Sequence, residues 1–277
     1  MRYVLALPVR RVNLDDESPF ADPAVQRDLV VRAEELGFWG VTAPDHIVAP
    51  LEWARSGGGE QWFDPFVLLS YLAASTARIK LITHIIVLPY RSPFAVAKAV
   101  ASLDRVSHGR AVFGAGSGYL QQEFEILGVP FDDRGDRTDE AIRAITTCWA
   151  EEHPEFHGRF FDIADAAVAP RPVQQPRPPI WIGGNSIRAV RRTVELGDCW
   201  TPFVAEPDDI RRGTDRAKEL GGEIEIAAPL GRIQRDAEPP VEAYTEAGAD
   251  YLKCGFRGGS PEDWLANLEW FAARFLT

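Results

Sequence analysis

Short apolar runs rich in Val, Ile and Phe recur along the chain, and the stretches between them carry apolar residues at helical spacing. That alternation is the mark of repeated βα units. Eight runs begin near Arg2, Phe38, Ile79, Arg110, Ile180, Cys199, Glu223 and Asp250. Their hydrophobicity is continuous rather than alternating, as in parallel strands covered by helices on one face and packed on the other. Eight such strands predict a closed (β/α)8 TIM barrel. Helix punctuation agrees: Asp22-Pro23 opens a stretch that reaches Leu36 before Gly37, Ser92-Pro93 opens one to Val106, and Ser260-Pro261 opens the last. The later strands start only about 20 to 27 residues apart, but about 69 residues separate Arg110 from Ile180. An insertion between strands 4 and 5 (approximately 120–178) is therefore expected. It holds a helix near Asp136–Glu151, an extended piece at Phe156–Ile163 and a linker, Ala169–Pro179, with five of the chain's 21 prolines. Nothing in it is long enough to own a core, so residues 1–277 read as one domain, with the insertion available to cover a substrate. An open doubly wound sheet uses the same rhythm, but its phosphate loop should follow the first strand, where LALPVRRVNLDDESPF contains no glycine.

Composition narrows the class. Hydrophobic residues make up 45% and charged ones 26% of the 277 residues, the balance of a soluble globular protein. A formal charge of −11 argues against a sequence-independent grip on nucleic-acid phosphates. The three cysteines, Cys148, Cys199 and Cys254, are odd in number and lack CxxC spacing, which fits reduced thiols. The longest apolar stretch near the start, Tyr3–Val9, is too short to span a bilayer. A cytoplasmic protein without membrane or nucleic-acid partners is expected.

In a βα barrel the chemistry sits at the carboxyl ends of the strands. After strand 2 stand Asp45 and His46, an acid that can accept hydrogen bonds from a ligand and an imidazole that can move a proton near neutral pH; the plainer reading makes Asp45 a cap and His46 a surface residue. After strand 4, Gly114-Ala115-Gly116-Ser117-Gly118 has GxGxG rather than nucleotide-loop spacing, and its glycines allow close approach of a neighbouring strand or of a ligand. After strand 5, Gly183-Gly184-Asn185-Ser186 precedes a helix, where free amides favour an anion, with Arg188, Arg191 and Arg192 adding charge. Arg257-Gly258-Gly259-Ser260 repeats the theme after strand 8, and two such nests suggest a phosphorylated cofactor. Lys253, inside strand 8, fits a pair with a carboxylate or phosphate better than a Schiff base. Trp39, Trp62, Trp181 and Trp200 fall near strand ends, where core packing or a wall for a ring-shaped ligand are both open. His153 and His157 have HxxxH spacing, but Pro154 breaks the helix that would align them, so no metal site is expected.

Three collinear stretches, RAEELGFWGVTAPDH, VLPYRSPFAVAKAVASLDRVSHGRAVFGAGSGYLQQEFEILGVPF and FHGRFFDIADAAVAPRPVQQPRPPIWIGGNSIRAVRRTVELGDCW, resemble the bacterial luciferase-like monooxygenase superfamily, in particular its coenzyme F420-dependent oxidoreductases. The resemblance runs from Arg32 to about Pro202. It implies a barrel, usually a homodimer, that binds coenzyme F420 or FMN at the carboxyl ends of its strands and acts on a small-molecule substrate. By position, Asp45 would contact the deazaflavin ring and His46 would lie at the catalytic face. The His84–Ile85 peptide corresponds to the family's non-prolyl cis bond behind the ring, although His84 stands where members often have a small residue. Gly183, Gly184, Asn185 and Ser186 would supply phosphate-binding amides; independently of position, the arginines near the mouth, Arg188 and Arg257, favour the acidic tail of F420. Sugar-phosphate dehydrogenases of the superfamily carry a glutamate after the fourth-strand glycines, where this chain has Tyr119. The implied activity is hydride transfer between F420 and a small organic substrate; an FMN-dependent monooxygenase and a non-catalytic flavin-binding barrel are the alternatives.

Overall fold

The computed structural model describes residues 1–8, 18–58 and 62–276. Part of the glycine-free segment after the first strand lies outside them. Eight parallel strands form the barrel: β1 (Arg2–Ala6), β2 (Gly40–Ala43), β3 (Lys80–Thr83), β4 (Ala111–Gly116), β5 (Ile180–Gly183), β6 (Cys199–Thr201), β7 (Glu225–Ile233) and β8 (Tyr251–Phe256). Each pairs with its neighbours in chain order, and β8 closes the ring onto β1, with Arg2 opposite Tyr251 and Val4 opposite Lys253. After the cis His84–Ile85 peptide the third strand resumes as Ile86–Val87, still paired with β4. The expected (β/α)8 barrel is thus observed, with strand starts displaced by no more than two residues.

One principal helix follows each strand: α1 (Pro23–Glu35), α2 (Pro65–Ala73), α3 (Pro93–Val106), α4 (Arg134–Ala150), α5 (Ile187–Leu196), α6 (Pro207–Glu219), α7 (Val241–Glu246) and α8 (Pro261–Phe275). Their starts are fixed locally. Asp22 Oδ1 accepts the Ala24 amide, Asp64 Oδ1 accepts those of Phe66 and Val67, and Ser260 Oγ accepts that of Asp263. Gly37, at φ +93°, ends α1 in the left-handed region, which a side chain would disfavour.

The long connection between β4 and β5 contains the fourth barrel helix itself, so only what flanks α4 is extra. The preceding part, 117–133, holds a short helix, Gln121–Leu127, beyond the carboxyl end of β4. The following part carries an antiparallel pair, Phe156–His157 with Asp162–Ile163, bound to α4 through Glu140, which accepts the amides of Arg159, Phe160 and Phe161. Its proline-rich stretch then crosses the amino end of the barrel: buried Asp104 accepts the amides of Val173 and Gln174, and Gln174 Nε2 reaches the Ala111 carbonyl at the start of β4. The insertion is thus divided between different parts of the barrel. The proline-rich stretch after α4 braces the opposite end.

Side chains alternate inward and outward along each strand, which sorts the barrel interior into levels. At the amino end the Arg2 guanidinium lies 3.8 Å above the Tyr251 ring and pairs with Glu225, while Trp39 and Trp181 stack at 5.9 Å. Val4, Ile82, Val112, Cys199 and Ala227 fill the middle. Towards the carboxyl end the inward positions shrink to Gly114, Gly116 and Gly183, and Ile85 lies in the space they leave. A Cβ on Gly116 would meet Ile85 Cδ1 at 2.4 Å, and one on Gly183 would meet Ile85 Cγ2 at 2.9 Å. The glycines after strand 4 thus serve close approach by a neighbouring strand. A Cβ on Gly114 would stand 1.9 Å from the Thr83 carbonyl oxygen, a backbone atom that cannot yield without breaking the β3–β4 pairing. We predict that Gly114→Ala lowers unfolding free energy by about 3 kcal/mol. Gly259→Ala, which meets nothing within 4 Å, should fall within about 0.5 kcal/mol of the native protein. Equal urea midpoints for the two variants would refute the packing argument.

Candidate active site at the carboxyl end of the barrel

Beyond β2 the chain places Asp45 and His46 side by side, and their surroundings differ. Asp45 is buried, with both carboxylate oxygens engaged: Arg91 donates to Oδ2 at 2.6 Å and to Oδ1 at 2.8 Å, and the Val87 amide donates to Oδ2. Burial raises its pKa, opposed by the Arg91 guanidinium and the Val87 amide. Asp45 thus ties the end of β2 to the resumed third strand and sets Arg91.

His46 is held differently. Its Nδ1 lies 2.9 Å from Oε2 of Glu123, whose Oε1 accepts the amides of Ile47 at 2.8 Å and Val48 at 3.2 Å. Glu123 comes from the short helix after β4 and is 1% exposed. With that carboxylate ionised, the imidazole donates from Nδ1, so its Nε2 is the nitrogen left with a free lone pair. Trp53 and Trp62 pack against the ring at 4.6 and 4.8 Å between centroids, and Tyr119 meets it edge-on at 6.5 Å. Tyr90, from the turn after the third strand, has its phenol pushed well up by burial and by the negative field of Glu123. Sequence reasoning missed Glu123 and Arg91. Glu123 lies in a stretch where Gln121, Gln122 and Glu123 give no periodic signal of which one points inward.

The rim continues to the fifth strand. Tyr119 stacks with Phe203 at 6.2 Å, and the Phe203 amide donates to Asn185 Oδ1 while Asn185 Nδ2 donates to the Val204 carbonyl. Asn185 therefore fastens the loop after β6 to the turn after β5. Gly184 adopts φ +126°, its carbonyl accepts Trp200 Nε1, and Ser186 caps α5 by accepting the Ala189 amide. The amides of Ile187 and Arg188, first in the helix, have no intrahelical acceptor and point out of its amino end. Of the arginines expected to add charge there, Arg188 pairs with Asp136 and Asp139, Arg192 pairs with Asp139, and exposed Arg191 lies 3.9 Å from Glu195. Local attraction for an anion thus comes from backbone amides. Arg257 has an exposed side chain, while its backbone carbonyl accepts Asn267 Nδ2; in the same turn Gly258 is pressed against the backbone of Trp264.

The floor of the mouth is polar. Lys253 donates to Thr201 Oγ1 at 2.7 Å and to the Pro202 carbonyl at 2.9 Å, and its Nζ lies 3.1 Å from His84 Nε2. No carboxylate meets it among the described residues. Burial pulls the Lys253 ammonium down to about 7, and desolvation together with that ammonium pushes the His84 imidazole well below its ordinary value. Among the described residues no cluster of His, Cys, Asp or Glu could hold a metal ion, and no helix is long and apolar enough to cross a membrane.

These residues fit a planar ligand with an anionic tail: a rim of aromatic rings, an oriented imidazole, and open amides at the head of α5. The sequence model described as luciferase-like monooxygenase matches residues 1–238, and the chain belongs to that family. An uncharacterized protein of Mycobacterium tuberculosis is 32% identical over 213 residues, 73% of each chain. An FMNH2-dependent dimethylsulfone monooxygenase of Pseudomonas putida is 29% identical over 228 residues, 78% of this chain and 60% of the other. Among solved structures, an F420-dependent secondary alcohol dehydrogenase in complex with an F420-acetone adduct shares the fold, with TM-score 0.79 at 17% identity, covering 98% of this chain and 97% of that one.

The depressed Lys253 value gives a pH prediction with a definite sign. Below about pH 7 the amine is protonated both folded and unfolded; between there and its ordinary 10.5 the unfolded chain holds a proton that the folded one has shed. Stability of the wild type relative to Lys253→Met should therefore rise with pH above 7, by up to about 1.4 kcal/mol per unit. Urea unfolding of both proteins at pH 6, 7, 8 and 9 measures it; a constant difference would sink the assignment.

Proposed function

We propose that the protein transfers a hydride between coenzyme F420 and a small uncharged organic substrate, with His46 moving the accompanying proton. The observation that carries this reading is the Glu123–His46 contact, because a carboxylate on Nδ1 orients the ring and selects its tautomer. His46 Nε2 takes the hydroxyl proton of an alcohol or, in reverse, returns it to a carbonyl oxygen. Trp53 and Trp62 hold the imidazole from its sides, and the aromatic rim excludes water from an apolar substrate body. The bound deazaflavin supplies the hydride-accepting carbon. Backbone amides at Gly184–Arg188 would hold its phosphate, with Arg257 available to the acidic tail beyond. An FMN-dependent monooxygenase is the second reading, supported by the Pseudomonas putida relative; the same amides suit its phosphate.

Titration of the purified protein with oxidised F420 and, separately, with FMN, followed by ligand fluorescence, decides between the two. Saturable F420 binding tighter than FMN binding supports the first reading; the reverse order transfers the case to the second, and no binding of either removes both. Given F420 binding, its reduction by a panel of secondary alcohols tests His46. We predict that His46→Ala leaves cofactor affinity within about threefold and lowers turnover by about 10²-fold or more. Glu123→Gln is the sharper variant. Its amide would donate to Nδ1 and move the imidazole proton to Nε2, so turnover should fall by about 10²-fold or more while the amides of Ile47 and Val48 keep their acceptor. Undiminished turnover in Glu123→Gln would discard the tautomer argument.

A further inference from the structure

Lys253 is a buried amine that meets no carboxylate among the described residues. Arg91 and Arg192 meet Asp45 and Asp139, whereas the partners of Lys253 are a hydroxyl, a carbonyl and an imidazole nitrogen, all neutral. Among the described residues the titratable groups that face it are His84 on the third strand and Cys199 on β6. Three donors of an ammonium match these three acceptors, so the geometry suits the protonated amine and a His84 unprotonated at Nε2. A buried charge without a counter-charge is costly, and packed apolar residues at the same positions would avoid that cost.

The two-residue alternation fixes its level in the barrel. Lys253 stands one inward step above Tyr251, Thr201 above Cys199 and His84 above Ile82, and the next inward position on β8 is Gly255. The cluster draws on β3, β6 and β8, which lie on different sides of the ring, so it spans the interior and forms the floor beneath any ligand seated in the mouth.

We infer that Lys253, supported by Thr201 and His84, complements negative charge on the ligand held above it and thereby favours the reduced over the oxidised form of the bound cofactor. The inference rests on the cofactor reading given above. Its charge balance is simple. A hydride carries one proton and two electrons, so a neutral ring that accepts one gains a single negative charge; the alcohol carbon gives up its C–H bond, its hydroxyl proton goes to His46, and a neutral carbonyl leaves. An anion above the floor stabilises the lysine proton, and the lysine proton stabilises the anion, by the same coupling. That preference is full below about pH 7 and fades as the amine loses its proton at higher pH.

The test compares dissociation constants for oxidised and reduced F420, and for oxidised and reduced FMN without oxygen, in the wild type, Lys253→Gln and Lys253→Arg. The wild type should bind the reduced form at least tenfold more tightly at pH 6.5, about 30 mV in the midpoint potential of a two-electron couple. Lys253→Gln should lose the preference and Lys253→Arg keep it. From pH 6.5 to 9 the wild-type preference should decline relative to that of Lys253→Arg. No preference in the wild type, or one unchanged in Lys253→Gln, overturns the inference and leaves the cofactor reading standing. Should Lys253→Gln fail to fold by circular dichroism, the pH series decides, and a wild-type preference that tracks Lys253→Arg overturns it. No binding of either cofactor in either redox state removes both proposals.

Discussion

A closed ring of eight strands encloses a fixed volume, and what the chain puts at the inward positions decides where that volume is solid and where it is open. At the amino end large rings fill it: Trp39, Trp181 and Tyr251, with the Arg2 guanidinium laid across the last. Two residues further along β4 and β5 the side chains shrink, from Trp181 to Gly183 and from Val112 to Gly114 and Gly116. The mouth exists because of that taper. Ile85 occupies part of the space the glycines leave, and its neighbour His84 is thereby directed onto Thr201 and Lys253. Shape and electrostatics of the site follow from one constraint on volume.

Two carboxylates bracket the mouth, and each binds side chain and backbone together. Asp45 holds Arg91 and the Val87 amide; Glu123 holds His46 and the amides of Ile47 and Val48. Each joins segments from different strands, β2 to the resumed third strand in one case and β2 to the helix after β4 in the other. Loops tied this way keep the imidazole oriented, which an acid or base needs if its proton transfer is to be directional.

Much of the scaffold was legible in the chain because burial writes itself locally. Continuous apolar runs gave strand starts within two residues, and Asp22-Pro23 and Ser260-Pro261 marked helices whose caps are observed. Knowing where strands end also located Asp45, His46, Lys253 and the Gly183–Ser186 turn at one end of the barrel. Pairings between distant polar residues were not legible. Nothing in the spacing tells that Arg91 will meet Asp45, that Glu123 will meet His46 across 77 positions, or that Arg188 will turn to Asp136 and Asp139 instead of a ligand. Such contacts depend on which side chains three-dimensional packing brings within reach, and polar residues at loop positions leave no period to read.

The connection between β4 and β5 has its two tasks at opposite ends of the barrel. Residues 117–133 carry Tyr119 and Glu123 at the mouth, whereas the proline-rich stretch that follows α4 and its antiparallel pair is sewn to Asp104 and Ala111 at the base. A long helix separates them, and the hydrogen bonds of one part do not involve the other. Substitutions in the upper part can therefore alter what the protein accepts while the lower part goes on holding α3, α4 and the start of β4 together. In a fold whose chemistry varies by loop replacement, that separation lets a single connection be revised at one end without loosening the other.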